Sequence, residues 1–186
     1  MKQLSILICT IPSRIRHLSQ LLALLSKQVN DEVEVLYLGD FKSMTLGMKM
    51  RKLLQISTGK YICFVDDDDY ITNDYVESIL YAIKENPDVD CICFDVKIFR
   101  NNKPDMRVVY STKFKKDGKN KQFYERLPNH LMVVKREIAE KEEFADITFG
   151  VDAQWAKDIR PHLKSEARID KVLYYYFADD SVTESR

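Results

Sequence analysis

The chain has 186 residues, 45% apolar and 11% aromatic, with only five Gly and five Pro; such a composition describes one ordinary domain with a sizeable core and excludes a linker-rich or disordered protein. Lys plus Arg equals Asp plus Glu at 29 each, so net charge offers no general attraction to nucleic acid or membrane, and local patches must carry any such claim. Met1 runs almost directly into residues 4–9 without a basic leader or cleavage site, and no apolar stretch is long enough to span a bilayer, which makes a cytoplasmic protein with no transmembrane segment the expectation.

Residues 4–9, Leu-Ser-Ile-Leu-Ile-Cys, read as a buried strand that stops at Thr10-Ile11-Pro12-Ser13-Arg14. Pro12 and Ser13 start a helix with an apolar stripe of Ile15, Leu18, Leu21, Leu22 and Leu25. A strand's carboxyl end beside a helix N-terminus is where α/β proteins bind anions and nucleotides, so Thr10, Ser13 and Arg14 are candidate ligand contacts. The competing reading makes Ser13 a simple cap and Arg14 a surface charge. A second strand, residues 32–38, closes at Gly39-Asp40, and Asp40 is a candidate for holding a base or ribose. Residues 45–56 then show helical periodicity at Leu46, Lys49/Met50, Leu53 and Leu54. Helical spacing splits Lys49, Arg51 and Lys52 between faces, so one or two of them, Arg51 included, face the acids across the site as donor contacts.

Residues 61–70, Tyr-Ile-Cys-Phe-Val-Asp-Asp-Asp-Asp-Tyr, are the centre of the chain's chemistry. A short buried strand ends abruptly in four adjacent carboxylates, which repel one another unless they are well solvated or a cation neutralises them. Hard divalent ions, Mg2+ or Mn2+, prefer such oxygen ligands. Alternation along an extended chain points Asp66 and Asp68 to one side, as a pair that shares a metal and its phosphate ligand, and leaves Asp67 and Asp69 in supporting or capping roles. The bland alternative is a solvated acidic turn with Asp69 or Thr72 capping the helix of residues 73–85.

Strand and helix alternate three times to this point, the order of a mostly parallel, Rossmann-like α/β sheet flanked by helices, with its ligand cleft at the strands' carboxyl ends. Residues 89–94 read as a further core strand, and residues 96–99 and 108–110 as a small antiparallel addition joined through the turn-rich Asn101-Asn102-Lys103-Pro104. The basic segment 113–121 reads as a surface loop; a second reading has it touch an anionic acceptor. Residues 127–138 form an apolar segment leading into a short helix, Phe149-Gly150-Val151-Asp152 opens another, residues 172–177 form a tyrosine-rich last strand, and 178–186 a tail. Cys9, Cys63, Cys91 and Cys93 fall in strands at spacings that match no zinc site, so reduced core thiols are expected.

Taken together, the Gly-Lys-Tyr strand running into Asp-x-Asp-Asp, the amino-terminal strand ending Thr-Ile-Pro-Ser-Arg, the acid after the second strand and the downstream Gly-Val-Asp resemble family 2 glycosyltransferases of the type A fold. Leu46-Gly47-Met48-Lys49-Met50-Arg51 resembles the Gly-x-Lys-Arg-Asn helix of some small members, and the segment from His130 to Ile138 their acceptor side. The resemblance covers nearly the whole chain. It implies a single domain over 1–186, with residues 1–100 binding the nucleotide sugar, UDP-linked, and 101–186 the acceptor. Asp66 and Asp68 would hold Mn2+ or Mg2+ and the diphosphate; Thr10, Arg14, Asp40, Arg51, Asp66 and Asp67 would line the donor pocket. Asp152 would be the general base of an inverting transfer, with His130 and Trp155 on the acceptor side, the acceptor being a glycan, protein or modified nucleic acid. Two departures stand out: Val151 replaces the family's usual Glu, and Phe177-Ala178-Asp179-Asp180-Ser181 lacks the His many relatives carry there. Two other classes compete. A non-catalytic nucleotide-sugar-binding protein would share the scaffold, whereas a metal-dependent nucleotidyltransferase would need a glycine-rich phosphate loop that Thr10–Arg14 does not contain.

Overall fold

The computed structural model describes residues 2–101 and 103–178; the expected tail residues 179–186, and Asn102 of the turn, lie outside them. One mixed sheet runs through the protein. Strand β1 (Leu4–Thr10) pairs in parallel with β2 (Val33–Gly39) on one edge and with β3 (Tyr61–Phe64) on the other. Both β1 and β3 are buried on both faces, which explains their unbroken apolar runs. Between β3 and the long strand β5 (Cys91–Arg100) lies a three-residue antiparallel strand, β9 (Val133–Lys135), so β5 keeps the direction of β1 to β3. The other edge of β5 pairs in parallel with β10 (Glu166–Ala178), which also holds the two-residue β4 (Tyr70–Ile71) antiparallel.

Beyond the cover of β9, β5 turns back into β6 (Lys103–Tyr110), which is extended by the parallel β8 (Phe123–Arg126) and the short β7 (Gly118–Lys119). This is the antiparallel addition expected from sequence, but larger. The two apolar runs read as separate strands, 89–94 and 96–99, are one continuous β5, and segment 113–121 contains β7 instead of being loop throughout.

Helix α1 (Ile15–Leu25) follows a 3-10 turn at Pro12–Arg14 and buries Leu18, Leu21 and Leu25, while Ile15 of the expected stripe is exposed. Helix α2 (Leu46–Ile56) packs on β1 and β2, and its N-cap Thr45 accepts from the Met48 N–H at 3.1 Å. Helix α3 (Tyr75–Glu85) covers β5 and β10 with Val76, Ile79 and Ile83. The short α4 (Arg136–Ala139) follows β9, and α5 (Val151–Ile159) precedes β10. The four cysteines are free; Cys63, Cys91 and Cys93 are buried and Cys9 is half-buried. Among the described residues, no helix is long and apolar enough to cross a membrane.

Candidate active site

A cleft of about 670 Å3 opens at the carboxyl ends of β1 and β3 and is walled on the far side by β5, β6 and the start of α5. Its floor is the acid run. Val65 still donates to the Leu7 carbonyl at 3.0 Å, but the chain then turns, closed by Asp69 N–H to the Asp66 carbonyl at 3.2 Å. Strict alternation therefore does not govern the four acids. Asp66, Asp67 and Asp68 all line the cleft, and Asp69 alone points inward, accepting from the Tyr174 hydroxyl and the Phe177 N–H, each at 2.8 Å. Nor does Asp69 or Thr72 cap the next helix: Asp74 is the N-cap of α3.

The 3-10 turn begun by Pro12 delivers Arg14 to these acids. Its guanidinium forks, Nη1 lying 2.9 Å from Asp67 and Nη2 3.1 Å from Asp68. Asp67, only 2% exposed, also accepts from the Thr10 hydroxyl at 2.6 Å. Thus Asp67 is the clamped member and Asp66, with a side chain 41% exposed, the open one. Burial raises the Asp68 carboxyl to about 6 against the pull of Arg14, with Asp66 and Asp67 adding to the rise. Burial likewise lifts Asp67 and Asp69, whereas at Asp66 the desolvation is outweighed by His130 and Arg14, which hold it below the usual carboxylate range. The cluster carries more negative charge than one guanidinium compensates.

His130 stands between this cluster and α5. Its carbonyl accepts from the Phe64 N–H at 2.9 Å, which locks the loop ahead of β9 onto the end of β3. The ring is 7% exposed; Nε2 lies 3.6 Å from Asp66 and Nδ1 3.7 Å from Asp152, both beyond hydrogen-bond length. Nδ1 has no hydrogen-bond partner among the described residues. Burial works against protonation of the ring, but Asp66 and then Asp152 raise its pKa overall.

Asp152 is placed by two glycines. Gly150, the N-cap of α5, has φ +75°, a left-handed conformation that glycine adopts without strain. Gly47, in the first turn of α2, donates to the Ile147 carbonyl at 3.0 Å, and a Cβ there would fall 1.8 Å from the Ala145 oxygen. Segment 144–149 can thus lie directly on α2 and carry the start of α5 to the cleft. Val151 is fully buried, with a methyl group 3.1 Å from where that Cβ would sit. A Glu in its place would bury its carboxylate against α2.

Three other sequence-derived candidates lie elsewhere than expected. Arg51 is not in the cleft; its guanidinium donates to the Phe144 carbonyl at 2.7 Å and sits 3.6 Å from Glu143. The inward cation is Lys49, which shares the apolar stripe of Leu46, Met50 and Leu53, pairs with Asp40 at 2.7 Å and donates to the Thr10 carbonyl at 2.9 Å. Asp40 itself does not line the cleft. Its carboxylate, held far below the usual range chiefly by Lys49, also accepts from the Met44 N–H at 2.7 Å and the Ser43 hydroxyl at 2.9 Å, shaping a loop that presents Lys42 and Met44 to the cleft. Trp155 is a core residue, 1% exposed, stacked on Phe144 with its Nε1–H donated to the Glu142 carbonyl at 3.2 Å. Sequence reasoning also passed over Tyr110, Asn129 and Tyr176 in the cleft wall; three consecutive tyrosines, 174–176, carry no alternation that would single out Tyr176.

Among the described residues, no group of three or more His, Cys, Asp and Glu is arranged to hold a metal ion. The two acids expected to hold one, Asp66 and Asp68, both line the cleft, and Asp68 is paired with Arg14 at 3.1 Å.

The geometry can be set beside known proteins. No curated protein matches the chain. The crystal structure of S. aureus TarS 1-349 superposes with a TM-score of 0.70 at 16% identity, covering 94% of this chain and 60% of that one. Its complexes with UDP (TM-score 0.69, 15% identity, 95% of this chain and 60% of that) and with UDP-GlcNAc (0.67, 15%, 95% and 58%) agree. Likeness at such identity speaks for the fold, and the chain spans about 60% of the TarS piece it matches. The family model Glycosyl transferase family 2 matches residues 40–141, more than half of the sequence, from Asp40 through the acid run to the end of α4. This chain belongs to glycosyl transferase family 2.

Proposed function

We propose that the protein transfers a sugar from a nucleoside-diphosphate donor, UDP-linked as in the TarS complexes, to a hydroxyl acceptor with inversion at the anomeric carbon. One observation carries the reading: Asp66 and Asp152 flank the same buried imidazole at 3.6 and 3.7 Å, so a donor-side and an acceptor-side carboxylate face one cleft. The nucleotide would lie between Thr10, Arg14 and the loop bearing Lys42 and Met44. Asp66 and Asp68 would hold Mn2+ or Mg2+, which supplies charge neutralisation to the departing diphosphate when bound. Asp152, 42% exposed, accepts the proton of the acceptor hydroxyl. The freed oxygen bonds to the anomeric carbon as that carbon's bond to the β-phosphate oxygen breaks, and the bonding pair leaves with the nucleoside diphosphate. His130 stands between the two carboxylates, and their negative charge raises its pKa.

Calorimetric titration of UDP with and without Mn2+, in wild type and Asp68→Ala, tests the donor side. Metal-enhanced UDP binding that falls about tenfold or more in Asp68→Ala is expected. Absence of UDP binding under either condition would sink the assignment.

A further inference from the structure

Charge is evenly balanced over the whole chain but not over its parts. Residues 103–126, which build β6, β7 and β8, hold eight Lys and Arg against three Asp and Glu, a formal +5 that leaves −5 on the remainder. Strand register decides which cations matter. Val108 pairs with Tyr124 and Tyr110 with Arg126, while Lys119 pairs with Tyr124 from the other side. Paired residues project from the same face of a sheet. Val108 and Tyr110 line the cleft, so Tyr124, Arg126 and Lys119 continue that cleft wall outward. Lys119 Nζ lies 4.9 Å and the Arg126 guanidinium carbon 5.3 Å from the centre of the Tyr124 ring. Arg126 uses Nη1 on the Gly118 and Glu125 carbonyls, and its Nε makes a long ion pair with the exposed Asp117 at 3.9 Å. Its remaining nitrogens have no hydrogen-bond acceptor among the described residues.

Resting on the function proposed above, we infer that this face is the acceptor subsite and that the acceptor is an anionic glycan. The half-buried rings of Tyr176 and Tyr124, either side of the buried Tyr110, offer apolar surface to the faces of sugars. Lys119 and Arg126 then grip a phosphate or carboxylate borne by a sugar removed from the reacting hydroxyl. Two cations on the face match one anionic group of a glycan better than the closely spaced charges of a nucleic-acid backbone. The acids at the other end of the cleft repel that group, which keeps the acceptor in one direction.

The test is titration of the full chain with a phosphorylated oligomannoside, an oligogalacturonate, a neutral oligomannoside and oligodeoxythymidylate, each at low and high salt, with UDP binding measured on the same preparations. At least one anionic glycan should bind roughly tenfold or more tighter than the neutral one and weaken as salt rises. Which arm binds separates phosphate from carboxylate. Lys119→Glu, at an exposed position, should abolish that preference with UDP affinity unchanged; Arg126→Gln should do the same at an unaltered Tm. Equal binding of neutral and anionic glycans, an unaffected Lys119→Glu, or tighter binding of the oligonucleotide than of either anionic glycan would overturn the inference. So would UDP binding with no glycan bound, which leaves the donor reading standing; anionic glycan binding without UDP binding would do the reverse.

Discussion

The two ends of the parallel strands are built on opposite terms. At the amino ends the polar groups of the strands are tied to one another. The Ser5 hydroxyl donates to Glu34 at 2.6 Å and accepts from the Gly59 N–H at 2.9 Å, Glu34 also takes the Thr58 N–H at 2.5 Å, and the Tyr61 hydroxyl reaches the Val89 carbonyl at 3.0 Å. At the carboxyl ends, Asp67 and Asp68 share the Arg14 guanidinium, and a buried imidazole stands beyond hydrogen-bond reach of Asp66 and Asp152. Satisfied groups hold the sheet together; groups left short of partners are the ones a ligand can complete. One end is closed by its own hydrogen bonds and the other is open to a ligand.

Substitutions should therefore separate the two properties. The largest effect is expected at Asp152, whose exposed carboxylate has no hydrogen bond among the described residues and lies 3.7 Å from His130. Asp152→Asn should cut sugar transfer about a thousandfold with Tm and UDP binding unchanged; unchanged turnover would remove it from the base role. At the opposite end, a Cβ on Gly59 would lie 2.6 Å from the Ser5 nitrogen and 2.8 Å from the Leu4 carbonyl carbon, both backbone atoms that cannot swing aside. Gly59→Ala should lower stability by about 3 kcal/mol in urea unfolding, with the affinity of the folded fraction for UDP unaltered.

Much of this division is legible in the sequence, in uneven ways. Long periodic elements announce themselves: α2, α3 and the doubly buried β1 and β3 lie within a residue or two of where their patterns put them. Strands of two or three residues have no period to read, so β4, β7 and the central β9 emerge only from tertiary pairing. The acids were visible as a cluster, but not their division of labour, because strand geometry ends at Phe64 and a turn sets their directions. Lys49 could have been preferred to Arg51, since it falls in the stripe of Leu46, Met50 and Leu53; a lysine in an apolar stripe needs a buried carboxylate, and Asp40 supplies it. Trp155 shows the converse: apolar helical spacing next to an acid of the cleft marked core, as it usually does.

The contrast between ends sharpens at Tyr174. Its buried hydroxyl donates to Asp69 at 2.8 Å and accepts from the Asp66 N–H at 3.1 Å, so beneath the reactive acids lies a layer as fully paired as the amino ends. Tyr174→Phe would leave a buried carboxylate short of one donor and should cost about 2 kcal/mol. Because Asp66 loses its backbone anchor, UDP affinity should fall in step, which neither Asp152→Asn nor Gly59→Ala would do. A loss of stability with UDP affinity intact would mean that the acid turn holds its shape without this support.

The smallest expected effect tests the amino ends by pH. Glu34 is lowered below the usual glutamate pKa: partial burial works the other way, but the hydrogen bonds from Ser5 and Thr58 outweigh it. A carboxylate depressed on folding stabilises the native state fully above its unfolded pKa, and that contribution disappears as pH falls through the folded value. Glu34→Gln should therefore be less stable than wild type at neutral pH, by under about 1 kcal/mol because the site is partly open to water. The two proteins should converge once the pH lies below the folded Glu34 value. Urea unfolding at pH 7 and pH 3 measures both. A difference that persists undiminished in acid would show that Glu34 acts there through shape and neutral hydrogen bonding, and that charge plays no part in fastening β1, β2 and the turn before β3.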